Sequence, residues 1–220
     1  MNNIQANNPD DVIIKKGDSW TYYDQGSLDG NNWSSIGYGT SKWKTGKAPL
    51  GYGNSSSGYN TMLNYGANSN NKYITYYFRK LVVLKEAPND STELCLNFKA
   101  DDGFVLYINE TEATRYNMPE GEITYNSLSP TSVEVEPIDG QLTLNSKLLK
   151  KGINMIAVEV HNNSVTSSDI YWDASLFIVF IHINAVSGTY FIDNDRTDVR
   201  NFRFKLLSAE MSGEIQVAIS

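Results

Sequence analysis

Asp101 and Asp102 are adjacent carboxylates followed by Gly103. Side by side at the end of an alternating stretch, they could give hard oxygen ligands to Ca2+. Their side chains could equally bond local backbone amides and close a turn. The residue spacing of an EF-hand loop is absent, so any calcium site would be assembled from distant loops. Glu159 and His161 stand two apart in Gly152–His161, GINMIAVEVH. On a strand they share one face with Ala157, while Val158 and Val160 share the other. Such a pair could hold a metal, work as acid and base, or form a buried and mutually satisfied contact. Arg115, Asn117, Ser168 and Asp169 fall beside strand ends or in the loops between them. Arg and Asn donors with acidic acceptors suit the hydroxyls of a sugar. They could instead close an internal network, with Arg115 paired to an acid and Ser167 and Asp169 closing a turn.

A pyranose stacks its C–H face on Trp or Tyr. Trp33 and Tyr59 lie in the loop-rich stretch between Asp24 and Asn71 and are the aromatic binding candidates. Trp43 and Trp172 alternate with polar residues and read as core. Other chemistries have no motif to carry them. The chain has no glycine-rich phosphate loop, no GxSxG elbow and no HExxH. Gly51-Tyr52-Gly53 lacks a strand–helix context and reads as a turn. Carboxylates are plentiful, but no spacing singles out a glycosidase pair. The single cysteine, Cys95, sits in an apolar alternating segment and reads as a small buried hydrophobe.

The elements that must position these groups are strands. Period-2 alternation predicts strands over Tyr73–Leu84, Thr92–Ala100, Phe104–Asn109, Gln141–Leu149, Ile153–His161 and Ile170–Ile183. Weaker patterns predict Thr189–Ile192, Asn201–Leu207 and Glu214–Ile219. No stretch has convincing helical amphipathicity. Short strands joined by Gly- and Asn-rich turns point to an all-β sandwich or barrel.

Composition narrows the class further. Of 220 residues, 40% are hydrophobic and 12% aromatic, enough for a packed core, which excludes wholesale disorder. Eighteen basic against 25 acidic residues leave a net charge of −7, which repels phosphate backbones and argues against nucleic acid as a partner. No run approaches the roughly 20 apolar residues of a membrane span, so no membrane insertion is expected. The 24 Asn, 16 Gly and 14 Tyr lean toward extracellular bacterial β-proteins, so a secreted or cell-surface location is expected. Met1 is followed by Asn2, Asn3, Asn7 and Asn8 rather than by the pattern of a signal peptide.

One ordered set of segments carries a resemblance. Lys42–Gly53 reads KWKTGKAPLGYG, Tyr65-Gly66 follows, and Thr75–Lys80 reads TYYFRK. Then come Asp101–Asn109 (DDGFVLYIN), Arg115–Gly121 (RYNMPEG), Gly152–His161 and Ser167–Asp173 (SSDIYWD). Together, over Trp20–Phe180, they resemble bacterial galactose-binding-like β-sandwich modules. Such modules are attached to secreted hydrolases, calcineurin-like phosphoesterases and spore-coat-kinase-like proteins. The Asp-Asp-Gly string also resembles the signature of protective-antigen-like sugar-binding domains, some of which hold a calcium on the paired aspartates. One departure stands at the hairpin after that string, where Asn109-Glu110 replaces the family's Asn-Gly. A type I′ turn needs positive φ at both central residues, so a longer turn through Thr111 is expected.

These readings converge on one all-β jelly-roll sandwich. Its expected plan is an N-terminal extension over 1–19, a core over 20–183 and extra C-terminal strands over 184–220. The expected function is a non-catalytic secreted module that binds a glycan or polysaccharide at rim loops, with a structural calcium as its cofactor. The alternative is a structural or protein-interaction module that packs against a secreted enzyme domain and takes no small ligand. The candidate ligand contacts are Trp33, Tyr59, Arg115, Asn117, Glu159, His161 and Asp169; the candidate metal ligands are Asp101 and Asp102.

Overall fold

The computed structural model describes residues 11–53, 58–90, 92–133, 138–180, 185–186 and 189–190. Asn3–His182 forms one compact unit. It is the expected all-β sandwich, built from two facing sheets. One sheet orders β10 (Ile138–Leu144), β7 (Thr92–Asp101), β12 (Ile170–Phe180), β4 (Leu50–Tyr52) and β5 (Thr61–Met62), with β1 (Val12–Ile14) also on β12. The other orders β3 (Lys44–Lys47), β2 (Ser19–Tyr23), β6 (Thr75–Leu84), β11 (Gly152–His161), β8 (Gly103–Ile108) and β9 (Thr111–Tyr116). Ile183–Ser220 groups with Met1 and Asn2 as a second unit, in which β13 (Ala185–Val186) pairs with β14 (Thr189–Tyr190). The strands expected at Asn201–Leu207 and Glu214–Ile219, and the ends of two others beyond Phe180 and Tyr190, lie outside the described residues.

Alternation explains how the sheets find each other. Leu94, Leu96 and Phe98 of β7 face inward with Trp172, Ala174 and Leu176 of β12. Opposite them lie Tyr76 and Phe78 of β6, Ile156, Val158 and Val160 of β11, and Phe104 and Leu106 of β8. Trp172 sits at the centre, edge-on to Trp20 at 6.1 Å, 6.4 Å from Phe78 and 5.2 Å from Phe104. Each such side chain removed from water contributes about 1.5–3 kcal/mol, so this layer is the main source of stability. Cys95 is fully buried on the other face of β7, as its setting suggested.

Three sequence expectations are corrected. Val12–Ile14 is not an extension: it pairs with β12, and Ile14 is in the core. The strand expected to reach Leu149 ends at Leu144 and passes into a 3-10 turn at Ser146–Leu148, capped by the Asn145 side chain. The hairpin between β8 and β9 uses a two-residue turn after all, with Asn109 at φ 51° and Glu110 at φ 72°. The Asn109 side chain holds it there. It donates to Leu148 O at 2.9 Å and Asn154 Oδ1 at 2.8 Å, and accepts from Met155 N at 3.0 Å. Those bonds hold Asn109 in the left-handed region, while Glu110 adopts it without the freedom that glycine would supply.

Candidate functional site

One rim of the sandwich gathers the end of β7, the start of β8, the end of β11, the start of β12 and the segment that follows β9. Asp102, at the turn between β7 and β8, binds that rim together. Its Oδ1 accepts from Val133 N at 2.7 Å and its Oδ2 from Asn163 N at 2.8 Å. Burial pushes its carboxyl above the usual carboxylate range, and the charge of Asp169 adds to this; the two amides oppose it. Gly103 follows because a Cβ there would collide with the Asn117 carbonyl. Asn117, at φ 50°, donates to Asp102 O at 3.0 Å and Thr131 O at 2.7 Å. Gly53, at φ 104°, ends β4 where a Cβ would strike Ser168 and Asp169.

Between these loops lies a depression of about 190 Å3 lined by Ser132, Val133, Asn163, Ser164, Ser167, Ser168 and Asp169. Its walls are almost wholly polar. Ser168 Oγ donates to Asp169 Oδ1 at 2.6 Å, and Ser167 Oγ donates to Asp169 O at 3.2 Å. A carboxylate, an amide and several hydroxyls are donors and acceptors of the kind that pair with vicinal hydroxyls. Among the described residues no aromatic ring lines this depression, so recognition there would rest on hydrogen bonds rather than on stacking.

Glu159 and His161 lie near this rim in a buried chain on the outer face of the second sheet. Tyr107 donates to Glu159 Oε1 at 2.5 Å, and Glu159 Oε2 is 3.4 Å from His161 Nε2. Burial, reinforced by Glu159, holds the Tyr107 phenol protonated far above its ordinary range. His161 Nδ1 lies 2.8 Å from Ser127 O and 3.0 Å from Thr75 Oγ1. A carbonyl can only accept, so Nδ1 carries a proton. His161 is wholly buried, and the chain ties the 125–129 segment to β6 and β11.

The remaining candidates are committed within the protein. Arg115 forks onto both oxygens of Glu112 at 2.6 and 2.7 Å and donates to the carbonyls of Pro119 and Gly121. It shapes the turn that follows Asn117. Trp33 is buried against Tyr77 at 4.9 Å and Tyr107 at 5.8 Å. Its ring anchors the long loop to the sheet, where Leu28, Met155 and Ala157 complete a small second core. Tyr59 is half-buried, donates to Tyr52 O at 2.8 Å and lies 5.7 Å from Tyr171. The structure therefore brings Asp101, Asp102, Asn117 and Asp169 to one rim, with Glu159 and His161 nearby but sealed. It places Trp33 elsewhere, in the small second core, and Tyr59 beside the rim, against Tyr52 and Tyr171 at the end of β4 and the start of β12.

Among the described residues, no group of three or more His, Cys, Asp or Glu side chains comes together as metal ligands. A calcium shell needs six to eight oxygens. Asp102 is buried and has an amide on each oxygen, so its geometry is that of a loop staple. Ser132, Asn163, Ser164 and Ser167 were not singled out as site residues. The signal for the last three was the polar run Asn162–Asp169 between two strong strands; Ser132 had none.

No protein-family model matches the chain, and no curated protein matches it. Solved structures do share its fold. Bacteroides uniformis β-glucuronidase 2, covalently bound to cyclophellitol-6-carboxylate aziridine, aligns with a TM-score of 0.50 at 17% identity, over 79% of this chain and 19% of that one. A Ruminococcus gnavus β-glucuronidase in complex with C6-substituted uronic isofagomine aligns with a TM-score of 0.50 at 9% identity, over 80% of this chain and 30% of that one. The chain thus spans less than a third of either. At these identities the likeness is one of fold: the sandwich formed here also occurs as a part of larger glycoside hydrolases.

Proposed function

We propose that this chain is a non-catalytic accessory module that binds a glycan at the rim depression beside Asp169, in a secreted or cell-surface setting. The observation that carries this reading is the depression itself: a polar hollow of about 190 Å3 formed by serine hydroxyls, Asn163 and a carboxylate. Loops on a rigid sandwich are where binding groups collect. The occurrence of the fold within glycoside hydrolases agrees with this reading, although a fold does not by itself specify a ligand.

The experiment is a glycan-array screen of the full chain, run in calcium and again in chelator, with Asp169→Ala and Ser168→Ala variants alongside. The reading expects binding that falls at least tenfold in Asp169→Ala while the melting temperature holds. Loss of binding in chelator assigns a calcium to the rim, with Asp101→Ala and Asp102→Ala as the follow-up. Absence of binding in both conditions removes the glycan reading for the glycans tested. The protein-interaction module then leads, and an exposed aliphatic face on the second sheet favours it independently.

A further inference from the structure

The outer face of the second sheet contains a guanidinium without a counter-ion among the described residues. Arg79 of β6 is 4% exposed. It donates to the carbonyls of Ser35 and Tyr38, and its guanidinium lies 5.6 Å from the ring centres of both Tyr38 and Trp43. No carboxylate among the described residues pairs with it, and its Nε–H is buried without an acceptor among them. A buried cation is costly unless paired. This chain carries a surplus of acids, yet among the described residues Asp18 is bound to the neighbouring Lys80 at 3.2 Å rather than to Arg79. Arg79 lines a surface pocket of about 120 Å3 with Lys80, Tyr38, Thr21, Thr40, Ile36, Leu81 and Met155.

An aliphatic surface continues from that pocket. Residues 79, 81 and 83 share the outer face of β6. Leu81 stands opposite Met155 and Val83 opposite Ile153 on β11. Leu81 is 57% exposed, Val83 73%, Ile153 53% and nearby Ile36 44%. Single exposed apolar residues are ordinary, but paired ones on adjacent strands beside an unpaired cation form a patch with a charge at its edge.

We infer that this face is a docking surface for a protein partner that inserts an Asp or Glu side chain toward Arg79 and lays aliphatic side chains on Leu81, Val83 and Ile153. The guanidinium supplies the charge complement and selects a carboxylate. The branched aliphatic surface selects protein over sugar, because sugar hydroxyls find no partners on it and the two rings beside Arg79 are already occupied by its guanidinium. The surface is separate from the rim depression and independent of the glycan reading.

The test is selection of a random peptide display library on the full chain, followed by affinity measurements on the enriched peptides. Enriched peptides are expected to carry an Asp or Glu among Leu, Ile and Val. Changing that acid to its amide should weaken binding about tenfold or more. Arg79→Gln should abolish the difference between acid and amide. Val83→Asp and Ile153→Asp, at exposed positions that do not endanger folding, should remove binding of both forms. Asp169→Ala should change nothing. Enriched peptides without an acid, binding that survives Val83→Asp, or failure to enrich any peptide overturns the inference. So does Arg79-dependent binding of an acidic glycan that Val83→Asp leaves intact. Concentration-dependent dimerisation lost in Val83→Asp overturns it too, by making a second copy of the chain the occupant.

Discussion

At the scale of single residues, buried polar groups divide into those that hold loops and those that face a hollow. Asp102 is of the first kind, and its raised carboxyl pKa gives a signed prediction. An acid whose folded pKa exceeds its unfolded value of about 3.9 loses stability as pH rises from there through the folded pKa. Asp102→Asn lacks that titration and can accept from only one of the two amides. It should cost about 1–3 kcal/mol near pH 4, and the deficit should shrink toward pH 7. Urea titrations at both pH values measure this; a deficit that grows with pH contradicts it. Tyr107→Phe is the companion case. It leaves Glu159 Oε1 buried without its donor and should cost about 1–3 kcal/mol, read from the same titrations.

At the scale of elements, the hairpin between β8 and β9 shows a conflict between local propensity and context. Glutamate at φ 72° pays about 1–2 kcal/mol in the left-handed region. Glu110→Gly relieves this, less the added freedom of the unfolded chain and an exposed bond from Asn32 at 2.9 Å. A net gain of about 0.5–1 kcal/mol is expected. Asn109→Ala removes all three bonds that hold the turn and should lose at least about 2 kcal/mol. Thermal melts of the two variants should therefore move in opposite directions. Alternation made the long strands legible, with β6, β7, β8 and β11 within two or three residues of their expected bounds. It did not reveal β1 to β5 or β9. These are short or edge strands without a long alternating run; some also depend on partners far away in sequence, as Val12 depends on Phe177, while β9 pairs with its neighbour β8.

At the scale of the whole molecule, the two sheets stand or fall together through the Trp172 layer. Trp172→Ala should cost about 3–5 kcal/mol and lower the midpoint of a single cooperative transition, with the denaturant slope unchanged. The rim and the outer face lie on different surfaces of this one body. Their variants should act independently: Asp169→Ala on glycan binding alone, Val83→Asp on protein docking alone. Perturbations at such separated sites add when they share no partners.

The amino-acid sequence by itself determined the fold class and the principal strands. Burial on a pleated sheet has a period of two, and that period is written directly in the order of apolar and polar residues. It also put Asp101, Asp102 and Asp169 among the candidate site residues, from their types and their places beside strand ends. Only the tertiary structure decided which candidates face a hollow. Trp33 and Arg115 have the right chemistry for a ligand, yet Tyr77, Tyr107 and Glu112 already occupy them. Arg79 reads in sequence as one more residue of a strand, and it became conspicuous only when the fold supplied carbonyls and rings around it but, among the described residues, no carboxylate. Whether a polar side chain is satisfied depends on neighbours brought from tens of residues away, and no local pattern records them.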